Sequence, residues 1–76
     1  MEPTSYALVK HACEKLTDLE LAAINNIAQW GEDPRGVIGY EKVSHLFTES
    51  GGTKMHAEYL DALAAVTIER LIPARK

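Results

Sequence analysis

The sequence predicts an all-α fold: a small bundle of four helices, one domain over residues 1–76, paired with a second copy as a dimer. Three observations carry this. Hydrophobic residues make up 46% of the chain and aromatic residues only 7%, which is a helix-forming composition and not a disordered one. Apolar residues recur at the helical period in four separate stretches. Capping and turn residues punctuate those stretches, with no repeat and no low-complexity linker between them.

The first stretch covers residues 5–16. Tyr6, Leu8, Val9, Ala12, Cys13 and Leu16 share one side of a helical wheel, and Lys10, His11, Glu14 and Lys15 take the other. Thr17-Asp18-Leu19-Glu20 then matches a capping box, in which a hydroxyl and a carboxylate satisfy each other's backbone N–H groups. It predicts a helix start at Thr17. The helix over 18–30 carries Leu19, Leu21, Ala23, Ile24, Ile27, Ala28 and Trp30 on an arc of roughly 200°. The first two stretches are nearly in phase, so one bent helix over 5–30 is the alternative to a break at Thr17.

Residues 31–36, Gly-Glu-Asp-Pro-Arg-Gly, read as a turn, and Val37 and Ile38 as an extended entry to the next helix. Over 39–50 the apolar stripe is narrow: Tyr40, Val43, Leu46 and Phe47. Gly51-Gly52 is expected to end that helix and Thr53 to cap the last one, over 54–72, with Pro73 as its stop. This last helix has two apolar sides. Met55, Tyr59, Ala62 and Val66 form one, and Ala57, Leu60, Ala64, Ile68 and Leu71 form the other. A helix apolar on nearly all sides is central in its bundle or shared with another molecule.

Size and charge limit the functions on offer. A chain of 76 residues has no room for separate catalytic and regulatory domains. Cys13 is the single cysteine, so no internal disulfide stiffens the fold, and a reducing compartment is the weakly favoured one. The N-terminus has no positive leader ahead of an apolar segment, and no run is long enough to span a bilayer, so the default expectation is cytoplasmic with no membrane partner. The formal net charge is −3, without the basic footprint that nucleic-acid binders use to displace counterions from phosphate.

Residues 45–63, HLFTESGGTKMHAEYLDAL, resemble helix, turn and helix, which makes a DNA-reading regulator the alternative function. Against it, Phe47 is too large for the close crossing four residues before Gly51, and Glu58 and Asp61 would face the phosphates. The one basic cluster is Arg70, Arg75 and Lys76. Metal binding has no ligand spacing to support it: His11 and Cys13 point to different sides, and His45 and His56 merely flank the turn. Nor is there a cofactor motif or a catalytic constellation, since Cys13 faces the core and Ser44 and His45 diverge on a helix.

What remains is binding to protein. If the last helix is central, some of Leu21, Ile24, Trp30, Met55 and Tyr59 should stay uncovered and dock on a protein partner or a second copy, through the second and last helices. The expected role is therefore a small interaction module (adaptor, subunit or inhibitor), comparable in size and acidity with small inhibitors such as phage-encoded ones. Trp30, Arg35, Met55 and Tyr59 are the expected contact residues, because interfaces are enriched in aromatic, methionine and arginine side chains.

Overall fold

The computed structural model describes residues 4–72. Four α-helices follow one another: α1 (Ser5–Cys13), α2 (Asp18–Gln29), α3 (Tyr40–Val43) and α4 (Ala57–Leu71), with a 3₁₀ turn, Ser44–Leu46, directly after α3. No strand forms among the described residues, although Glu49 and Lys54 make an isolated antiparallel bridge. Pro73, Arg75 and Lys76 lie outside the described residues.

The chain breaks at Thr17, and α1 and α2 are separate helices. Thr17 Oγ1 accepts from the Glu20 N–H (3.1 Å) and Glu20 Oε1 accepts from the Thr17 N–H (2.9 Å), so both halves of the capping box are made. α1 is shorter than its apolar pattern and ends at Cys13, but Leu16 still reaches the core through the turn that follows. The Arg70 guanidinium holds this corner. It donates to the carbonyls of Cys13 (2.9 Å) and Leu16 and to Asp18 Oδ1 (3.0 Å), tying the end of α1 to the start of α2. A rigid fork of donors suits three acceptors converging from different directions.

α2 stops by glycine chemistry. Gly31 adopts φ +73°, its N–H bonds to Ala28 O, and the Glu32 N–H bonds to Ile27 O. These two bonds make a Schellman motif, which a left-handed residue after the C-cap permits. Trp30 is that C-cap.

Three expectations need correction. Val37 and Ile38 do not form an extended entry: successive turns carry the chain from Pro34 to Tyr40, with Val37 half-buried and Ile38 exposed. The helix over 39–50 is only α3 and the 3₁₀ turn. Its stripe of Tyr40, Val43 and Leu46 has a spacing of three, which serves a three-residue turn as well as an α-helix. Val43, Leu46 and Phe47 are still buried, and the Tyr40 ring sits 5.5 Å from that of Phe47.

The third correction concerns Gly51-Gly52, which neither ends a helix nor precedes a cap. Ser50, Gly51 and Gly52 are all left-handed (φ +53°, +70° and +94°), and this reverses the chain so that Lys54 meets Glu49. Thr53 Oγ1 donates to Ser50 O (2.8 Å) inside the turn instead of capping α4. α4 begins three residues after Lys54, at Ala57, where His56 Nδ1 accepts from the Glu58 N–H (3.2 Å). Residues 47–56 thus separate the 3₁₀ turn from α4, and no compact helix-turn-helix forms there.

α4 is central, as its apolar girth predicts, and packs on both α1 and α2. Ser5 reaches Glu58 (3.0 Å) at one end and Arg70 reaches Cys13 O at the other, so α1 runs parallel to α4. Arg70 contacts Asp18, while Gln29 Nε2 donates to Leu60 O (2.8 Å), so α2 runs antiparallel to it. Between them lies the core, where Val9, Leu16, Leu21, Ile24, Val43, Leu46 and Leu63 are all but inaccessible.

Candidate docking face

The four residues expected to contact a partner divide sharply. Trp30 is 75% exposed. Arg35 is exposed but folded back on its own loop, its Nε and NH2 gripping both Asp33 oxygens at 2.6–3.0 Å. That pairing holds the Asp33 carboxyl down to about 2 and spends the arginine's charge locally. Tyr59 is half-buried against the core, its ring edge-on to His56 at 6.2 Å. Met55 is a core residue at 5% exposure, so it offers nothing to a docking surface in this conformation. Leu21 and Ile24 are fully buried too.

Trp30, Met55 and Tyr59 do share one end of the molecule. Lys54 Nζ donates to the Gly31 carbonyl and Gln29 to Leu60 O, bringing the end of α2 beside the start of α4. Only Trp30 points outward there.

Other apolar side chains remain open. On α2, Leu19 is 71% exposed and stands about 20° from Trp30 on a helical wheel, with Asn26 and half-buried Ala23 flanking them within about 20°. On α4, Ile68 is 56% exposed and just beyond the helix Ile72 is 65% exposed. Along with Ile68, Ala57 and Asp61 are exposed and Leu60, Ala64 and Leu71 half-exposed. These six positions follow the three-and-four spacing of a helix seam.

Each stripe lies opposite the core side of its helix. On α2 the core side is Leu21, Ile24 and Ala28, and the side toward α4 carries Asp18, Asn25 and Gln29. Opposite the core come Leu19, Asn26 and Trp30. On α4 the core side is Ala62, Leu63 and Val66, and opposite it come Ala57, Ala64 and Ile68. The two outward stripes thus lie on neighbouring antiparallel helices. Asp61 is the one charged side chain among these outward positions.

Of the residues the sequence singled out, Trp30 is open, Arg35 is tied to Asp33, Tyr59 is half-buried and Met55 is buried. Leu19 and Ile68 were visible as apolar positions, but nothing in the pattern marked them as the uncovered ones. The wheel shows two apolar sides on the last helix without ranking them. The chain matches no known protein family, and no curated protein or solved structure is similar to it. The face must be read from its own chemistry.

The polar groups are occupied structurally. Cys13 is buried and desolvation pushes its thiol up to about 11, far from a nucleophile's range. His11 is exposed beside Glu14 (3.4 Å) and His56 caps α4. Among the described residues no group of three or more His, Cys, Asp or Glu is placed to hold a metal ion, and no buried side-chain polar atom lacks a partner. No helix among them is long and apolar enough to cross a membrane.

Proposed function

We propose that this chain is a protein–protein interaction module (an adaptor, subunit or inhibitor) without enzymatic activity, which occupies a partner's surface through the outward face of α2 and α4. One observation carries the reading. Leu19, Trp30 and Ile68 stand open on two helices whose core-facing sides are already packed. Burying a large apolar side chain stabilises by about 1.5–3 kcal/mol. Three of them together rival the whole stability of a small domain, about 5 kcal/mol at the low end. Aromatic and aliphatic anchors in a nearly uncharged centre are also the composition of an interface core.

The test is affinity capture from the source cell with wild-type bait beside Ile68→Glu and Trp30→Ala baits. Both substitutions fall on exposed side chains, so helicity and melting temperature should stay near wild type. The expected result is a partner retained by wild type and lost from both variants. A partner held equally by all three baits would refute the assignment of this face.

A further inference from the structure

We propose that the outward stripe of α4 takes a basic amphipathic helix of another protein, its apolar seam on Ala64 and Ile68 and its lysines or arginines toward α1; this rests on the docking reading above and names the partner's chemistry. Charge on the two docking helices is one-sided. α2 and α4 carry five acidic side chains (Asp18, Glu20, Glu58, Asp61 and Glu69) and a single basic one, Arg70. Arg70 is consumed at its corner by Asp18 and two carbonyls, and Lys42 reaches Glu20 from α3. The three acids of α4 are left over. Ser5 donates to Glu58 (3.0 Å) and Tyr6 to Glu69, but hydroxyls cancel no charge. Lys10 on α1 lies over the Tyr6 ring, 5.7 Å from its centre. Among the described residues no lysine, arginine or histidine forms an ion pair with Glu58, Asp61 or Glu69.

A socket adjoins the stripe. Ser5 and Tyr6 of α1, with Glu58, Asp61, Ala62 and Ala65 of α4, line an open cleft of about 430 Å³. Its two charged groups are both carboxylates, and the alanines give it an apolar lining. A lysine or arginine is the matching side chain: its methylene stem packs on apolar surface while the cationic head stays at the rim. Asp61 belongs to the stripe and also lines the cleft, so one bound segment covers both. The stripe itself fits a helix. Ala57, Ala64, Ile68 and Leu71 keep the three-and-four spacing of a seam over about 20 Å, and small Ala57 and Ala64 let another helix approach closely. A second copy, an anionic bilayer or a nucleic acid would each bring negative charge to these carboxylates, and repulsion disfavours all three.

The test uses three dye-labelled synthetic peptides of about 18 residues, long enough to match the stripe. The first is an amphipathic helix with a leucine seam and lysine flanks. The second keeps the seam and carries glutamate flanks, and the third scrambles the first so that no seam forms. Fluorescence anisotropy reads binding to the whole chain, and amide NMR shifts locate it. The lysine peptide should bind at least about tenfold tighter than either of the others, with shifts along residues 57–72. That binding should weaken as salt rises from about 0.05 to about 0.5 M. Ile68→Glu should weaken it about tenfold or more. Glu58→Lys and Asp61→Lys together should weaken it and confer binding of the glutamate peptide. Circular dichroism should stay unchanged throughout, because all three side chains are exposed. Equal binding of the lysine and glutamate peptides, or of the scrambled one, overturns the proposal, and so does indifference to the paired lysine variant. A chain that dimerises in sedimentation and loses the dimer on Ile68→Glu makes a second copy the occupant and overturns it too. If no peptide binds, the basic-helix proposal falls, while the capture experiment above decides separately whether the docking face stands.

Discussion

At Gly39 the backbone takes φ +83°, and a Cβ there would come within 2.9 Å of Glu20 Cβ and 3.0 Å of Leu16 Cδ2. Two independent demands meet at one residue: a left-handed conformation and a close approach between the turn before α3 and the start of α2. Gly36 carries neither, since its φ is not positive and nothing lies within 4 Å of its Cβ position. Gly39→Ala should therefore destabilise by about 2 kcal/mol or more, while Gly36→Ala stays within about 0.5 kcal/mol of wild type, as read by chemical denaturation. In the sequence Gly36 closes the turn over 31–36 and Gly39 opens the helical stretch over 39–50, and neither reading marks a close approach. Their difference lies in what packs above them, and that is set by residues 16 and 20, far away along the chain. The same is true of Arg70. In sequence it belongs to a basic cluster near the chain's end; in the fold it is consumed by the corner between α1 and α2.

Helix starts separate the local signals from the non-local ones. The capping box at Thr17 and Glu20 involves residues three apart and was legible before any fold was known. The start of α4 was not. Thr53 has the preferred capping side chain, but the left-handed run at 50–52 turns its hydroxyl onto Ser50, and capping passes to His56, a residue no propensity scale favours there. Thr17→Ala should cost about 1 kcal/mol in stability and His56→Ala a similar or smaller amount. Thr53→Ala should leave the start of α4 unchanged, which amide hydrogen exchange across residues 54–60 would show. Protection lost at the first turn of α4 in the Thr53 variant, and not in the His56 variant, would reverse this assignment.

Across the whole molecule, charge ties elements that apolar packing alone would leave loosely registered. Lys42 Nζ, just after the start of α3, lies 3.0 Å from Glu20 Oε1 on α2 and also reaches Lys15 O (3.3 Å). The Thr17 backbone N–H, and next the Lys42 ammonium, hold the Glu20 carboxyl below its ordinary range, as Arg35 holds Asp33 down to about 2. Both folded-state values are depressed. Their stabilisation is fully present above the ordinary carboxylate range and fades as pH falls through the folded values. The melting temperature should thus drop between about pH 5 and about pH 2, and Glu20→Gln, which can still cap α2 but cannot pair with Lys42, should flatten part of that drop. Thermal melts at several pH values measure it; parallel curves for the variant and wild type would remove Glu20 from the account.

The sequence by itself determined that the chain is helical, where α2 begins and ends, and that α4 is apolar nearly all round. These follow from interactions a few residues long: wheel periodicity, a capping box, a glycine after a C-cap. Which apolar side of α4 is covered was decided only by tertiary structure. Met55, Ala62 and Val66 turn inward because α1 and α2 converge on them, and Ile68 and its neighbours are left outside with Leu19 and Trp30. Water penalises both sides of that helix equally. In this fold α1 and α2 shelter one of them.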